Sequence, residues 1–461
     1  MQMSETHELQ RSLSNRHLQL IAIGGAIGTG LFMGSGKTIS VAGPSILFIY
    51  MIIGLVVFFI MRALGGLLLS NLNYKSFIDF STDLIGPWAG FFVGWTYWLV
   101  WVTIGIADLS AIIYYLQFFN NGQAFSLAEG LMISFASIFF IMILNLATVR
   151  LFGEMEFWFA LIKIIAIIVL ILTGLWLIFT SYTSSAGHVA SFSNIWSHGG
   201  LFPQGFDGFL AGFQIAIFAF IGVELVGTTA AETENPQRNL PKAINSIPIR
   251  IIIFYVFALL IVMSVTPWNA IDPKVSPFVN LFSEAGVAAA AIIMNLVVLS
   301  SVMSSMNGGI FSTSRMLFGL SSEQSAPKLF GKLNKNAVPA NALYFTVACL
   351  VGGAILQSTS ESLQQAFTIT TTLTTILCIC VWLIIIWSYI NLMRKRPQLY
   401  AELSFKLPGG LATCIFVIVF LMVTVFILCL EPDTLLAVQW SPIWFILIAI
   451  GYFGFYKKKL K

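Results

Sequence analysis

The sequence predicts an all-α integral membrane protein with twelve transmembrane helices, and three observations carry that prediction. The chain of 461 residues is 58% hydrophobic and only 9% charged, a balance foreign to a water-soluble domain of this length. Twelve apolar runs approach the ~20 residues that a helix needs to cross a hydrocarbon layer of ~30 Å. The lysines and arginines, finally, fall almost wholly on one side once those runs are threaded through a bilayer.

The runs are continuously apolar rather than alternating, which makes them helices and not barrel strands. The first, Leu18–Gly36, follows a basic segment over 1–17 and reads as an uncleaved helix, because no convincing small-residue cleavage site follows it and eleven more runs do. Pro44–Met61 and Gly90–Phe118 come next, the latter carrying Asp108, then Leu127–Leu146 and Phe157–Ile178, which holds Lys163. The sixth, Phe206–Ala230, contains Gly222, Glu224 and Gly227. Ile251–Thr266 and Ala285–Met303 precede Ala340–Leu356 and Ala366–Trp387. Leu411–Leu430 and Leu436–Phe455 close the series, ahead of a basic tail over 457–461. The five cysteines (Cys349, Cys378, Cys380, Cys414 and Cys429) lie in apolar runs, away from outer loops and without metal-ligand spacing, so they read as packing residues.

With twelve spans both termini share a side. Placing the N-terminus inside puts twenty of the 23 Lys and Arg on inner segments and inner helix ends, leaving Lys37 and Lys274 outside and Lys163 within a span. The net charge of +4 is therefore a topology signal with cytoplasmic termini, and not a nucleic-acid patch.

The outer connection near Ser181–Gln204 is too short for a soluble domain, so one membrane domain is expected. Within it the first and sixth runs stand apart. The first reads LIAIGGAIGTGLFMGSG and the sixth FAFIGVELVGTTAAE, five spans later. Glycine weakens helices, and paired interruptions in two five-helix halves are the pattern of inverted-repeat transporters with a mid-membrane substrate site. The alternative for the first run alone is close helix packing through Gly24 and Gly28. Where a helix breaks in a membrane, its freed N–H and C=O groups need partners, and the carboxylate and ammonium of an amino acid supply both.

The chain resembles the amino acid–polyamine–organocation superfamily, and within it the bacterial amino acid transporter family. The resemblance rests on RHLQLIAIGGAIGTGLFMGSG, GWTYWLVW, FGEMEFWFALIKIIAI, FIGVELVGTTAAETENPQRNLPKAI and FSTSRMLFGLS, and spans nearly the whole sequence. It implies a LeuT-type fold of five plus five inverted helices over 18–391, with two additional helices over 392–456. It further implies a multi-pass protein of the bacterial cytoplasmic membrane that takes up small neutral amino acids of the glycine, D-alanine and D-serine class by proton coupling. By position, Gly28, Thr29 and Gly30 would offer N–H groups to the substrate carboxylate, and Ala26, Phe218 and Ile221 carbonyls to its ammonium. The Phe218 and Phe220 rings would close over the ligand, although packing is the default role of a phenylalanine in a chain with 41 of them.

Three charged residues lie well inside spans, away from their ends. Lys163 has no acidic neighbour among Phe159, Ala160, Ala166 and Ile167, and either snorkels to the interface or carries the coupling proton, the role that the resemblance implies. Glu224 either anchors the broken helix or provides a second proton or gating group, and Asp108 is either a wet outer residue or a further proton site. The second span departs from the family pattern, with Gly66 where an acid is usual after Arg62.

The reading is a secondary importer working by alternating access, with the proton as coupling ion and no other cofactor. Its expected partners are a small neutral amino acid and membrane lipid, without nucleic acid or ATP, and a monomer is the expected unit. The same fold serving another substrate, or exchange instead of symport, is the alternative. A non-transporting sensor lacks an appended signalling domain. A membrane enzyme finds no general-base cluster in His7, His17, His188 and His198, which all lie outside the spans.

Overall fold

The computed structural model describes residues 27–457 apart from 75, 229–234 and 274. Among them ten helices are long and apolar enough to cross a membrane, and the protein is an all-α, multi-pass membrane protein. The two apolar runs that do not yield a continuous spanning helix within the described residues are the first and the sixth, the glycine-interrupted pair. The inner part of the first, with Gly24, Gly25 and Ala26, lies outside the described residues, as does the segment over 1–17.

The described chain starts with a four-residue helix α1 (Thr29–Phe32), bends at Met33 and continues as α2 (Gly34–Ala42). A 3-10 turn, Gly43–Ser45, then leads into α3 (Ile46–Ser70). Gly43 sits at φ +61°, a left-handed conformation, and its Cα packs so tightly on Pro203 that a Cβ would lie 2.5 Å from the ring.

After α3 comes the short α4 (Phe77–Leu84), opened by a reciprocal cap between Ser76 and Asp79. Its far end is held to α16 (Leu363–Lys395), where Asn391 Nδ2 and Lys395 Nζ both donate to the Leu84 carbonyl, at 3.0 and 2.9 Å. Arg396 pairs with Asp83 at 2.7 Å, and the Tyr74 hydroxyl donates to the same carboxylate. Partial burial pushes the Asp83 carboxyl up, but the bonds from Tyr74 and Arg396 more than reverse this and hold it below the ordinary carboxylate range. Burial and that carboxylate together push the Tyr74 phenol up to about 12.

Between these, α5 (Pro87–Gln117) begins with proline in its first turn, where the missing N–H costs nothing. It is followed by α6 (Leu127–Leu146), capped by Ser126 and Glu129, and α7 (Val149–Phe179), capped by the Thr148 hydroxyl. The sixth run forms α8 (Gly205–Ala216) and α9 (Leu225–Thr228). The seventh is jointed: α10 (Pro236–Asn245) and α11 (Ile247–Ile251) pass through a π-helical stretch, Ile252–Phe257, into α12 (Ala258–Val265). Then come α13 (Pro277–Glu284), α14 (Ala288–Ser322) and α15 (Ala340–Gln357) before α16, and α17 (Pro397–Glu402), α18 (Gly410–Leu430) and α19 (Pro432–Gly451) after it.

Helices α5, α14 and α16 pack together at the centre. Burial follows: 78% of the most apolar window of α5 is buried, against 17% for α6, whose Phe139 and Phe140 face outward with other large apolar side chains. An outer surface this apolar is what lipid requires and water forbids.

The second-span departure has a packing reason. A Cβ on Gly66 would lie 2.9 Å from the Tyr389 ring and 3.0 Å from the Phe405 carbonyl, so no acidic side chain fits there. Arg62 is served otherwise: its guanidinium donates to the Lys406 carbonyl and to Asn245 Oδ1, and it stacks 3.8 Å over the Phe405 ring.

Candidate functional site

Two interruptions meet in the middle of the molecule. Gly28 is extended, with φ −133° and ψ −159°, and α1 starts at the next residue. Across from it, α8 tightens into a 3-10 turn at Ile217–Phe220 and then leaves helical geometry at Ile221, where Gly222 takes φ +107° before α9 resumes. Only glycine adopts that φ at little cost, so the break is written into position 222. The two segments touch at Gly30, where a Cβ would lie 2.5 Å from Ala219 Cα and 2.8 Å from its nitrogen.

Between them is a small, partly open pocket. Gly28, Thr29, Gly30, Phe218, Ile221 and Asp108 all line it. Ala26 lies outside the described residues. Phe220 is placed elsewhere: fully buried, it stacks on Tyr255 with centroids 5.0 Å apart and takes the edge of Tyr50. Phe218 meets Phe367 edge-on at 5.9 Å, and its carbonyl already accepts from the Ile221 N–H at 3.2 Å. The Ala219 carbonyl, freed by the break, is taken by the Tyr255 hydroxyl at 2.9 Å.

One wall comes from α5, where Trp101, Ile104 and Asp108 share a face by their spacing of three and four. Asp108 is fully buried, not a wet outer residue. Its Oδ1 accepts from the Thr29 hydroxyl. The Trp101 ring meets Tyr97 edge-on at 6.3 Å and is backed by Gly309, where a Cβ would intrude to 2.6 Å. Ser305 of α14 completes this part of the wall.

Lys163 is wholly buried and so does not snorkel to an interface. Its Nζ donates to Ser304 Oγ at 3.1 Å, and Ser304 Oγ donates to Glu156 Oε2 at 2.8 Å. The other Glu156 oxygen accepts from Asn307 Nδ2 at 2.7 Å, and Asn307 Oδ1 in turn accepts from Asn145 of α6 at 2.8 Å. Glu156 and Asp108 are the carboxylates whose charge acts on the lysine. Inspection of its nearest same-face neighbours misses Glu156, which lies seven residues earlier and two turns down the same face of α7. Trp101, Ser305 and Glu156 are thus the additions to the predicted set.

Glu224 faces the break itself. Both its oxygens accept from the Gly222 N–H at 3.1 Å, and the Tyr97 hydroxyl stands 3.4 Å from Oε1. A carboxylate folded back onto the backbone two residues before it braces the non-helical turn. Among the described residues no group of His, Cys, Asp and Glu is arranged to hold a metal ion.

A family model described as amino acid permease matches residues 17–461. The D-serine/D-alanine/glycine transporter of Escherichia coli K12 is 55% identical over 451 residues, covering 98% of this chain and 95% of that protein. Two Bacillus subtilis proteins match over similar lengths. The uncharacterized transporter YdgF is 49% identical, covering 96% of this chain and 95% of its own. The amino-acid permease AapA is 47% identical, covering 97% and 95%.

Proposed function

The chain belongs to the amino acid permease family, whose members are secondary-active transporters and not enzymes, and from that premise we propose a proton-coupled importer of small neutral amino acids of the glycine, D-alanine and D-serine class. The observation that carries the proposal is the small pocket between the two helix interruptions, lined by Gly28, Thr29, Gly30, Phe218 and Ile221. Phe218, Trp101 and Ile104 leave it narrow, which favours a small ligand over one with a bulky side chain.

In this reading the substrate carboxylate lies against the N–H groups of Gly28, Thr29 and Gly30 at the start of the outer half-helix, and the ammonium takes the Ile221 carbonyl and that of Ala26 or Phe218. Phe218 caps the ligand while Phe220, packed on Tyr255, holds the turn behind it. Asp108 is the titratable group of the wall, and Lys163 and Asp108 respond to the proton gradient as the cavity alternates between the two sides. Glu224 acts by bracing the break. The scaffold is a LeuT-type five-plus-five repeat with two further helices, in a bacterial cytoplasmic membrane with both termini inside. The one-sided lysines and arginines support that orientation. The likeness to the Escherichia coli D-serine/D-alanine/glycine transporter supports the substrate class.

The test is uptake into proteoliposomes. Radiolabelled glycine should accumulate above equilibrium when the outside is made acidic, with D-alanine and D-serine competing and tryptophan and lysine not. Equilibration without accumulation would indicate exchange or facilitated entry, and strong competition by tryptophan or lysine a different substrate class.

A further inference from the structure

The network below Lys163 has a direction. Lys163 Nζ donates to Ser304 Oγ, Ser304 Oγ donates to Glu156 Oε2, and the distances are 3.1 and 2.8 Å. Both hydrogen bonds point the same way, from the lysine toward the carboxylate. Glu156 lies seven residues nearer the N-terminal end of α7, about 10 Å along the axis by the helical rise, and that is the end assigned to the cytoplasm. Lys163 is sealed from solvent and Glu156 nearly so, at 0% and 7% exposure. A wholly buried ammonium linked through a hydroxyl to a buried carboxylate has a protein group positioned to take its proton.

We propose that Glu156 is that group: the cytoplasmic-side acceptor of the coupling proton released by Lys163, with the Ser304 hydroxyl as the relay between them. The proposal rests on the proton-coupled reading above. In the step, a Lys163 N–H bond breaks as its proton joins Ser304 Oγ. The original Ser304 proton passes to Glu156 Oε2, leaving a neutral amine, an unchanged hydroxyl and a neutral carboxyl. An ion pair thereby becomes a neutral pair, so no net charge is left unpaired in the membrane interior.

The groups facing Glu156 fit the role. From its own helix comes Lys163, from α14 Ser304 and Asn307, and from α6 Asn145 through Asn307. Asn307 faces Glu156 Oε1 with its Nδ2, a donor only, while its Oδ1 accepts from Asn145, so Oε1 is held as an acceptor and Oε2 is left to the relay. Asp108 acts on Lys163 from the opposite side, at the cavity. One turn below Glu156, Phe152 and Phe311 stack face to face with centroids 3.6 Å apart, and Arg315 lies 3.1 Å over the Phe311 ring. With that stack beside it and Glu156 only 7% exposed, release from the carboxylate in this proposal follows opening of the inner side.

The experiment measures two quantities on proteoliposomes holding the wild-type chain, Glu156→Gln, Ser304→Ala or Ser304→Thr. One is accumulation of labelled glycine under an imposed acidic-outside gradient, with internal acidification followed by a trapped pH dye. The other is glycine counterflow, which needs the binding site and the conformational cycle but no net proton transfer. Accumulation and acidification should fall about 10-fold or more in Glu156→Gln and Ser304→Ala, in the range of a lost proton-transfer group. Counterflow should stay within about two-fold, and Ser304→Thr, which keeps a hydroxyl, should restore accumulation. Wild-type accumulation in Glu156→Gln and Ser304→Ala would overturn the proposal, as would counterflow falling as far as accumulation, since that marks a structural role. A wild-type chain that shows counterflow but no gradient-driven accumulation would overturn the transport reading itself.

Discussion

Gly28 and Gly30 look equivalent in the sequence and are not equivalent in the fold. At Gly30 a methyl group meets backbone, 2.5 Å from Ala219 Cα, and cannot be accommodated without separating the two broken helices. At Gly28 the nearest atom to such a methyl is Ser305 Oγ at 3.9 Å, and the extended φ of −133° is open to any residue. Gly30→Ala should therefore weaken glycine binding by about 10-fold or more, equivalent to ~1.4 kcal/mol, while the protein still reaches the membrane. Gly28→Ala should fold and bind glycine, with D-serine losing more affinity than glycine because the methyl narrows the cavity. Equilibrium binding of the two ligands to purified variants checks both. Glycine density marks the site in the sequence, but which glycine touches a neighbouring helix depends on a chain more than 180 residues away.

At the scale of elements, the break in the sixth span is held by a side chain from the jointed seventh, the Tyr255 hydroxyl on the Ala219 carbonyl. Tyr255→Phe keeps the ring stack with Phe220 and removes the hydroxyl that the Ala219 carbonyl accepts from. The expected cost is about 1–3 kcal/mol, read as a lower thermal midpoint in detergent than wild type. The helices themselves were legible from hydropathy wherever an apolar run also faces lipid. Hydropathy closes the eighth run at Met303, yet α14 continues to Ser322. The continuation carries Ser304, Asn307, Ser312, Thr313 and Ser314, all buried. Polar residues that face inward read as a helix end when only their composition is visible. The partner of Lys163 was lost in that same stretch.

For the whole molecule, the orientation rests on the one-sided distribution of basic residues. Cysteines placed at exposed positions on opposite ends decide it: Ser197→Cys should react with an impermeant thiol reagent on intact cells, and Lys335→Cys only after permeabilisation, once the five native cysteines are removed. The reverse pattern would invert the protein. Ten spanning helices and the interrupted pair followed from local composition, because lipid imposes length and glycine imposes breaks. The cavity wall did not, since Trp101, Asp108 and Ser305 reach it from helices that meet only in three dimensions. Trp101 brings one more property to that wall. Its indole is shielded from solvent and borders the pocket, but it is one of 12 tryptophans in the chain. In a variant that keeps only Trp101, filling the chamber with glycine should therefore change the colour and brightness of the fluorescence, and an unchanged spectrum would place the ligand elsewhere.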